Sequence, residues 1–157
     1  MHRSPNTERW RETHLGRLLA KGLERFDARV LALMARNEEL GLALAHLAAR
    51  GSLDASHVQI TRHLPVDGCS LSALAARAGI SKQAMGKLVD QSSAWDLVSR
   101  LPDRRDRRSV QVVFTASGVL WLSAYRQAVQ QAEYEFSQSV GADVAAVVHL
   151  GLEAYLG

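Results

Sequence analysis

Apolar residues recur at three- and four-residue spacing early in the chain, where Leu15, Leu18, Leu19, Gly22, Phe26, Val30, Leu33 and Met34 share one helical face. Ser4-Pro5 reads as an N-cap and first helical residue, so the pattern predicts one long helix from about Asn6 to Arg36. Asn37 ends it, and a second apolar run through Leu40, Leu44 and Leu47 predicts a shorter helix closing at Gly51. The end of the chain repeats the pattern. Thr115 caps a predicted long helix with Val119, Leu122, Tyr125, Val129, Ala132 and Phe136 on one side, and Asp143 opens a last helix through Val147, Gly151 and Tyr155.

Between these regions the period shortens and stops become frequent. A helix over about Ala55 to Leu64 is ended by Pro65 and Gly68. Ser70 caps a short helix in which Leu71, Leu74, Ala75 and Ala78 lie at i, i+3, i+4 and i+7, and Gly79 stands where a left-handed C-terminal residue is wanted. Ser81 follows as another N-cap, with Ile80 and Met85 spaced as a hydrophobic staple. Two helices joined by so short a glycine-containing turn make a helix-turn-helix. In the second of them Ala84, Met85, Leu88 and Val89 form the expected inner face, leaving Lys82, Gln83, Gly86, Lys87 and Gln91 outward. Leu97–Leu101 and Val110–Phe114 then read as two strands of a hairpin.

Charge sharpens this picture. From Arg77 to Arg108 eight cationic side chains face four acidic ones, a balance of +4, whereas from Ser109 onward Arg126 stands against four acids, a balance of −3. A polyanion would be drawn to the middle of the chain. Arg104, Arg105, Arg107 and Arg108 crowd the hairpin loop, where charged heads must stay hydrated or meet an anion. Such a loop is a natural wing, able to place arginine in a minor groove beside a helix docked in the major groove. Ser81 is the candidate for a phosphate at the helix start, Lys82 and Lys87 for phosphate or guanine, and Gln83 for a base edge. Gly86 costs up to about 1 kcal/mol relative to alanine in mid-helix. Either close approach to DNA or relief of crowding against a neighbouring helix would explain it.

The stretch LSALAARAGISKQAMGKLVD, followed by LVSRLPDRRDRRSVQVVFTASG, resembles the DNA-binding core of MarR-type regulators from about Leu53 to Trp121. Pro102, Asp103, Asp106, Arg107 and Arg108 match that family's P-D-x-x-D-R-R wing, and Thr115 and Gly118 its Thr-x-x-Gly helix start. The resemblance implies a mainly α fold, a winged helix-turn-helix flanked by long dimerisation helices. It implies a homodimer on a near-palindromic operator, acting as a repressor and released by a small aromatic or phenolic effector. It also implies that Asp106 and Arg108 orient the wing. Three positions depart from the family pattern. Ser92-Ser93 replaces an apolar and a charged residue, which predicts a looser helix end. Asp96 occupies a usual glycine position, where a left-handed residue is expected. Asn37 to Ser52 is longer than usual, with an expected effect on the dimer or the ligand cavity.

The expected organisation is one integrated structural domain, with residues 1–52 and 115–157 in dimerisation helices and 53–114 in the winged helix. No apolar h-region follows the basic N-terminus, and no run approaches the roughly 18 to 20 apolar residues of a membrane span, so a soluble, cytoplasmic chain without membrane partners is expected. The lone Cys69 excludes an internal disulfide and a cysteine-based zinc finger, and it reads as a buried, inert thiol. His57 and His63 are six apart on a predicted helix, off the i, i+4 spacing of a metal pair, so no metal is expected. They read as structural or pocket-lining residues, and with Trp10 they are the candidate effector contacts. No cofactor motif, phosphate loop or serine-histidine-acid spacing is present, which argues against an enzyme. A winged-helix module that binds another protein is the alternative.

Overall fold

In the computed structural model, residues 9–49, 60–102 and 110–157 are described. The expected first helix is in two pieces, α1 (Trp10–Thr13) and α2 (Leu15–Met34). The break falls at His14, whose backbone is extended (ψ 151°) and whose Nδ1 accepts a hydrogen bond from the Arg17 N–H at 3.2 Å. A side-chain acceptor thus caps a new helix start, which apolar spacing alone does not register. The Ser4-Pro5 start lies outside the described residues. α2 ends three residues before Asn37, whose side-chain Oδ1 accepts from the Glu39 N–H in the following turn. Leu40 is buried in that turn, and α3 (Leu42–Ala49) follows.

The centre is a helix-turn-helix with a three-stranded antiparallel sheet. Residues 60–63 are helical and bury Ile60; the predicted start near Ala55 lies outside the described residues. Then come β1 (Cys69–Ser70), α4 (Leu71–Ala78), α5 (Lys82–Ala94), β2 (Val98–Pro102) and β3 (Val110–Phe114), with strand order β1-β3-β2. The hairpin register pairs Val98 with Phe114 and Pro102 with Val110. β2 begins one residue later than expected because Leu97 is engaged elsewhere. Its N–H bonds the Ser92 carbonyl at 3.0 Å, and its own carbonyl accepts from the Thr115 N–H at 3.1 Å. Asp96, at φ 57°, is the left-handed residue that turns the chain from α5 into β2. Its carboxylate accepts from Ser117 Oγ at 2.9 Å, and its carbonyl accepts from Thr115 Oγ1. The expected looseness at Ser92-Ser93 is absent at Ser92. That side chain is completely buried, and its Oγ finds no hydrogen-bond partner among the described residues.

Thr115 caps α6 (Ala116–Val140) as expected, its Oγ1 accepting from the Gly118 N–H at 3.0 Å. The buried stripe of α6, Gly118, Trp121, Ala124, Ala128 and Ala132, shares only Ala132 with the expected one; Leu122, Tyr125 and Val129 are half-buried, while Val119 and Phe136 are exposed. Small side chains on that stripe let α2 pack along α6, so closeness of approach rather than side-chain size selects the face. α7 (Ala142–Leu156) is capped by Gly141 at φ 94°, with Asp143 inside its first turn rather than opening it. No residue of α7 is buried.

One hydrophobic cluster joins α2, α6 and the winged helix, running from Val30 and Met34 through Leu74, Met85, Val89 and Val112 to Trp121. Directional contacts fix the layers. Trp121 Nε1 donates to the buried Thr61 Oγ1 at 3.1 Å, and Arg62 pairs with Asp27 of α2. Arg29 forms a two-bond fork with Glu135, Nε to Oε2 at 2.6 Å and Nη2 to Oε1 at 2.7 Å, linking α2 to α6. The hydrogen bond from Arg29, helped by one from Gln131, pushes the Glu135 carboxyl down to about 2. Among the described residues no single helix is long and apolar enough to cross a membrane.

Candidate nucleic-acid interface

Local signals set the angle between α4 and α5. Ser70 Oγ accepts from the Ala73 N–H at 3.2 Å, and Ser81 Oγ accepts from the Ala84 N–H at 3.1 Å. Between them Gly79 sits at φ 66°, its N–H directed to the last carbonyls of α4. Met85 and Val89 bury the inner face of α5 completely and Leu88 is half-buried. Ala84 is exposed rather than inner, and Ser92 takes the inner place instead, since the buried direction follows Met85, Val89 and Ser92 at i, i+4 and i+7.

Opposite that face Lys82, Gln83, Lys87 and Gln91 are all exposed, as is Ser81 at the helix start. The outer surface of α5 therefore carries two ammonium groups and two amides with no apolar side chain longer than alanine between them. Gly86 lies on its flank. A Cβ built there would meet only Leu71 Cδ2 at 4.0 Å, an ordinary van der Waals distance. Crowding by a neighbouring helix is therefore not the reason for this glycine. Gly86→Ala should stabilise the free protein by about 0.5 to 1 kcal/mol, because alanine loses less backbone entropy in a helix. Thermal or urea unfolding reads this directly, and a destabilised variant would contradict the open space.

The hairpin stands against this helix. Arg100, on β2, reaches back to α5, where Nη2 donates to the Gly86 carbonyl at 3.1 Å and forms an ion pair with Asp90 Oδ1 at 2.8 Å. The root of the wing and the outward flank of α5 are thus joined at one surface. Neither Arg100 nor Asp90 is among the residues expected from sequence; they are ten apart on different element types, and no periodicity links them. The wing tip, with Arg104, Arg105, Asp106, Arg107 and Arg108, lies outside the described residues.

Trp10 is 65% exposed with its ring centroid 6.1 Å from that of His14, His63 is half-buried, and His57 lies outside the described residues. A cleft of roughly 730 Å³ opens between α2 and α6, lined by Arg25, Phe26, Arg29, Glu135, Phe136 and Ser139 among others. Trp10 and His63 do not line it. Cys69 is half-buried; burial pushes its thiol up, and the Arg77 charge, a cationic neighbour that sequence adjacency does not reveal, pulls the other way.

Residues 59–109 match the family model described as MarR family. A comparison with curated proteins finds no match. Among solved structures the chain is similar to the transcriptional repressor CouR bound to a 23-mer DNA duplex, at TM-score 0.70 and 18% identity, over 96% of this chain and 97% of that one. It is similar to a Cys-to-Ser mutant of MarR from E. coli complexed with operator DNA, at TM-score 0.68 and 20% identity, over 94% and 97%. It is also similar to the PcaV regulator from Streptomyces coelicolor in complex with its natural ligand, at TM-score 0.61 and 16% identity, over 99% and 97%. At these identities the likeness establishes the fold along nearly the whole chain.

Proposed function

We propose, from the match of residues 59–109 to the MarR family model, that the protein is a transcription regulator, a repressor that binds a near-palindromic operator as a homodimer. The observation that carries this reading is the outward surface of α5, cationic and amide-bearing, placed against the root of a hairpin whose loop holds four arginines. Lys82, Gln83 and Lys87 contact bases or phosphates, Ser81 faces a phosphate at the helix start, and Gly86 lets the backbone come close. Arg104, Arg105 and Arg107 grip the flanking minor groove, while Asp106 and Arg108 orient the wing.

The second subunit is supported by apolar side chains that one chain leaves in water. Leu15, Leu18 and Leu23 on α2 and Val144, Val147, Leu150, Tyr155 and Leu156 on α7 are each more than half exposed. A twofold particle would cover these and set two α5 helices about one helical turn, roughly 34 Å, apart along the duplex. Its regulator would be a small aromatic or phenolic molecule bound between the dimerisation helices and the winged helix. Such a ligand acts only through different affinities for two spacings of α5. An operator affinity that no member of an aromatic panel changes would remove this part of the reading.

Selection from randomised duplex DNA with the full-length protein, followed by sequencing, tests the function. A twofold-symmetric consensus is expected, and no enrichment would favour a protein-binding module. On the selected site, replacing Arg105 and Arg107 together by alanine should weaken binding and flatten the slope of log K against log salt. Each lost phosphate contact removes about 0.9 from that slope. An unchanged slope would take the wing tip out of the interface.

A further inference from the structure

Asp90 is out of place on a surface that faces a polyanion. It lies three residues beyond Lys87 on the outward side of α5, and its carboxylate is 67% exposed. Its partner Arg100 is held at 2.8 Å by that carboxylate and at 3.1 Å by the Gly86 carbonyl. Arg100 is long enough to reach outward, yet both of these bonds keep its guanidinium folded down on the helix. Neither group supports the core, since the pair sits on the surface and exposed pairs contribute little to folding.

We propose that Asp90 restrains the sequence-blind part of the affinity: it withholds Arg100 from the DNA backbone, so that binding to non-cognate duplex stays weak. This rests on the DNA-binding reading above. The physical basis is that phosphate contacts are sequence-blind and raise affinity for every duplex, whereas discrimination comes from base edges. A cation neutralised within the protein, beside a carboxylate that repels phosphate, lowers the sequence-blind part while leaving Gln83 and Lys87 free to read bases. A pair serving only to pin the wing to α5 would act oppositely, because breaking it would loosen the footprint and weaken binding.

The test measures full-length wild type and Asp90→Asn against a mixed-sequence duplex and a selected operator, by fluorescence anisotropy over a range of NaCl. Asp90→Asn should bind the mixed-sequence duplex roughly tenfold more tightly, with a salt slope steeper by about 0.9 for each protomer as Arg100 reaches a phosphate. The selected operator should gain by a similar factor, because a phosphate contact is blind to sequence. In an Arg100→Met background the same substitution should leave the slope as it is, since no guanidinium remains to be released. Unchanged or weaker binding by Asp90→Asn, or an equally steepened slope without Arg100, overturns the proposal. A wild type that binds neither duplex overturns the DNA-binding reading itself, and the two failures are therefore distinguishable.

Discussion

Replacing Gly118 by alanine is expected to lower the melting temperature by about 10 °C, corresponding to a loss of about 3 kcal/mol or more in a chain of this size. The helix start of α6 is pressed against the turn that leads from α5 into β2. A Cβ at residue 118 would lie 1.9 Å from the Leu97 carbonyl oxygen, 2.9 Å from its carbon and 3.0 Å from Phe114 Cδ1. Two of these three atoms are backbone, and the Leu97 carbonyl is committed to the Thr115 N–H. No rotamer change can relieve the overlap, so α6 must move away from the winged helix. That movement would open the buried contact between Trp121 and Thr61. The contrast with Gly86→Ala is the sharper measurement, because alanine is the better helix former in both places and only the neighbours differ. A Gly118→Ala protein melting within a degree of the parent would show that the two layers can slide apart freely.

Features fixed by short-range chemistry were legible in the sequence. Ser70, Gly79, Ser81 and Thr115 act where their side chains or dihedrals say they must, because a cap is decided within four residues. The hairpin and its pairing followed from two apolar runs around a charged loop. The family's Thr-x-x-Gly start even marked Gly118, although only the approach of Leu97 explains it. What spacing could not supply was the choice of face on α6. Large residues such as Val119 and Phe136 fit the helical period, yet the alanine stripe one position away is what α2 packs against. The break at His14 was hidden because the helix start was read from Ser4-Pro5, while the apolar face begins only at Leu15 and says nothing of the residues before it.

The candidate site divides in the same way. Lys82, Gln83 and Lys87 could be placed outward from helical phase alone, and they are exposed. Ala84 was misassigned because the inner face of α5 carries a serine, Ser92, in place of an apolar residue, which pulled the apparent phase toward Ala84. Ser92 takes that inner place despite its hydroxyl, which stays unpartnered among the described residues, a burial that ordinarily costs about 1 to 3 kcal/mol. Shape therefore outweighs polarity at that position. Asp90 and Arg100 depend on a strand folding back over a helix, and that is information carried by tertiary structure only.

The second large effect is expected in α7. Substituting Val147 and Val148 together by glutamate should convert the proposed dimer to a particle of one 17.2 kDa chain and abolish tight operator binding. Glutamate is a good helix former, and neither valine is buried in the single chain, at 69% and 40% exposure, so the protomer has no reason to unfold. What the substitution opposes is contact with a second copy, because four carboxylates would have to enter an apolar interface without partners. A lone protomer presents one α5 and one wing, half of the phosphate and base contacts. Operator affinity should then fall by about a thousandfold toward that of non-specific binding. Sedimentation equilibrium gives the mass and circular dichroism shows whether the helices persist. If the doubly substituted protein stays folded and dimeric, the apolar face of α7 is not what holds the two subunits together. The spacing of the two α5 helices would then have to be set by α1 and α2, where Trp10, Leu15, Leu18 and Leu23 offer the other large apolar surface.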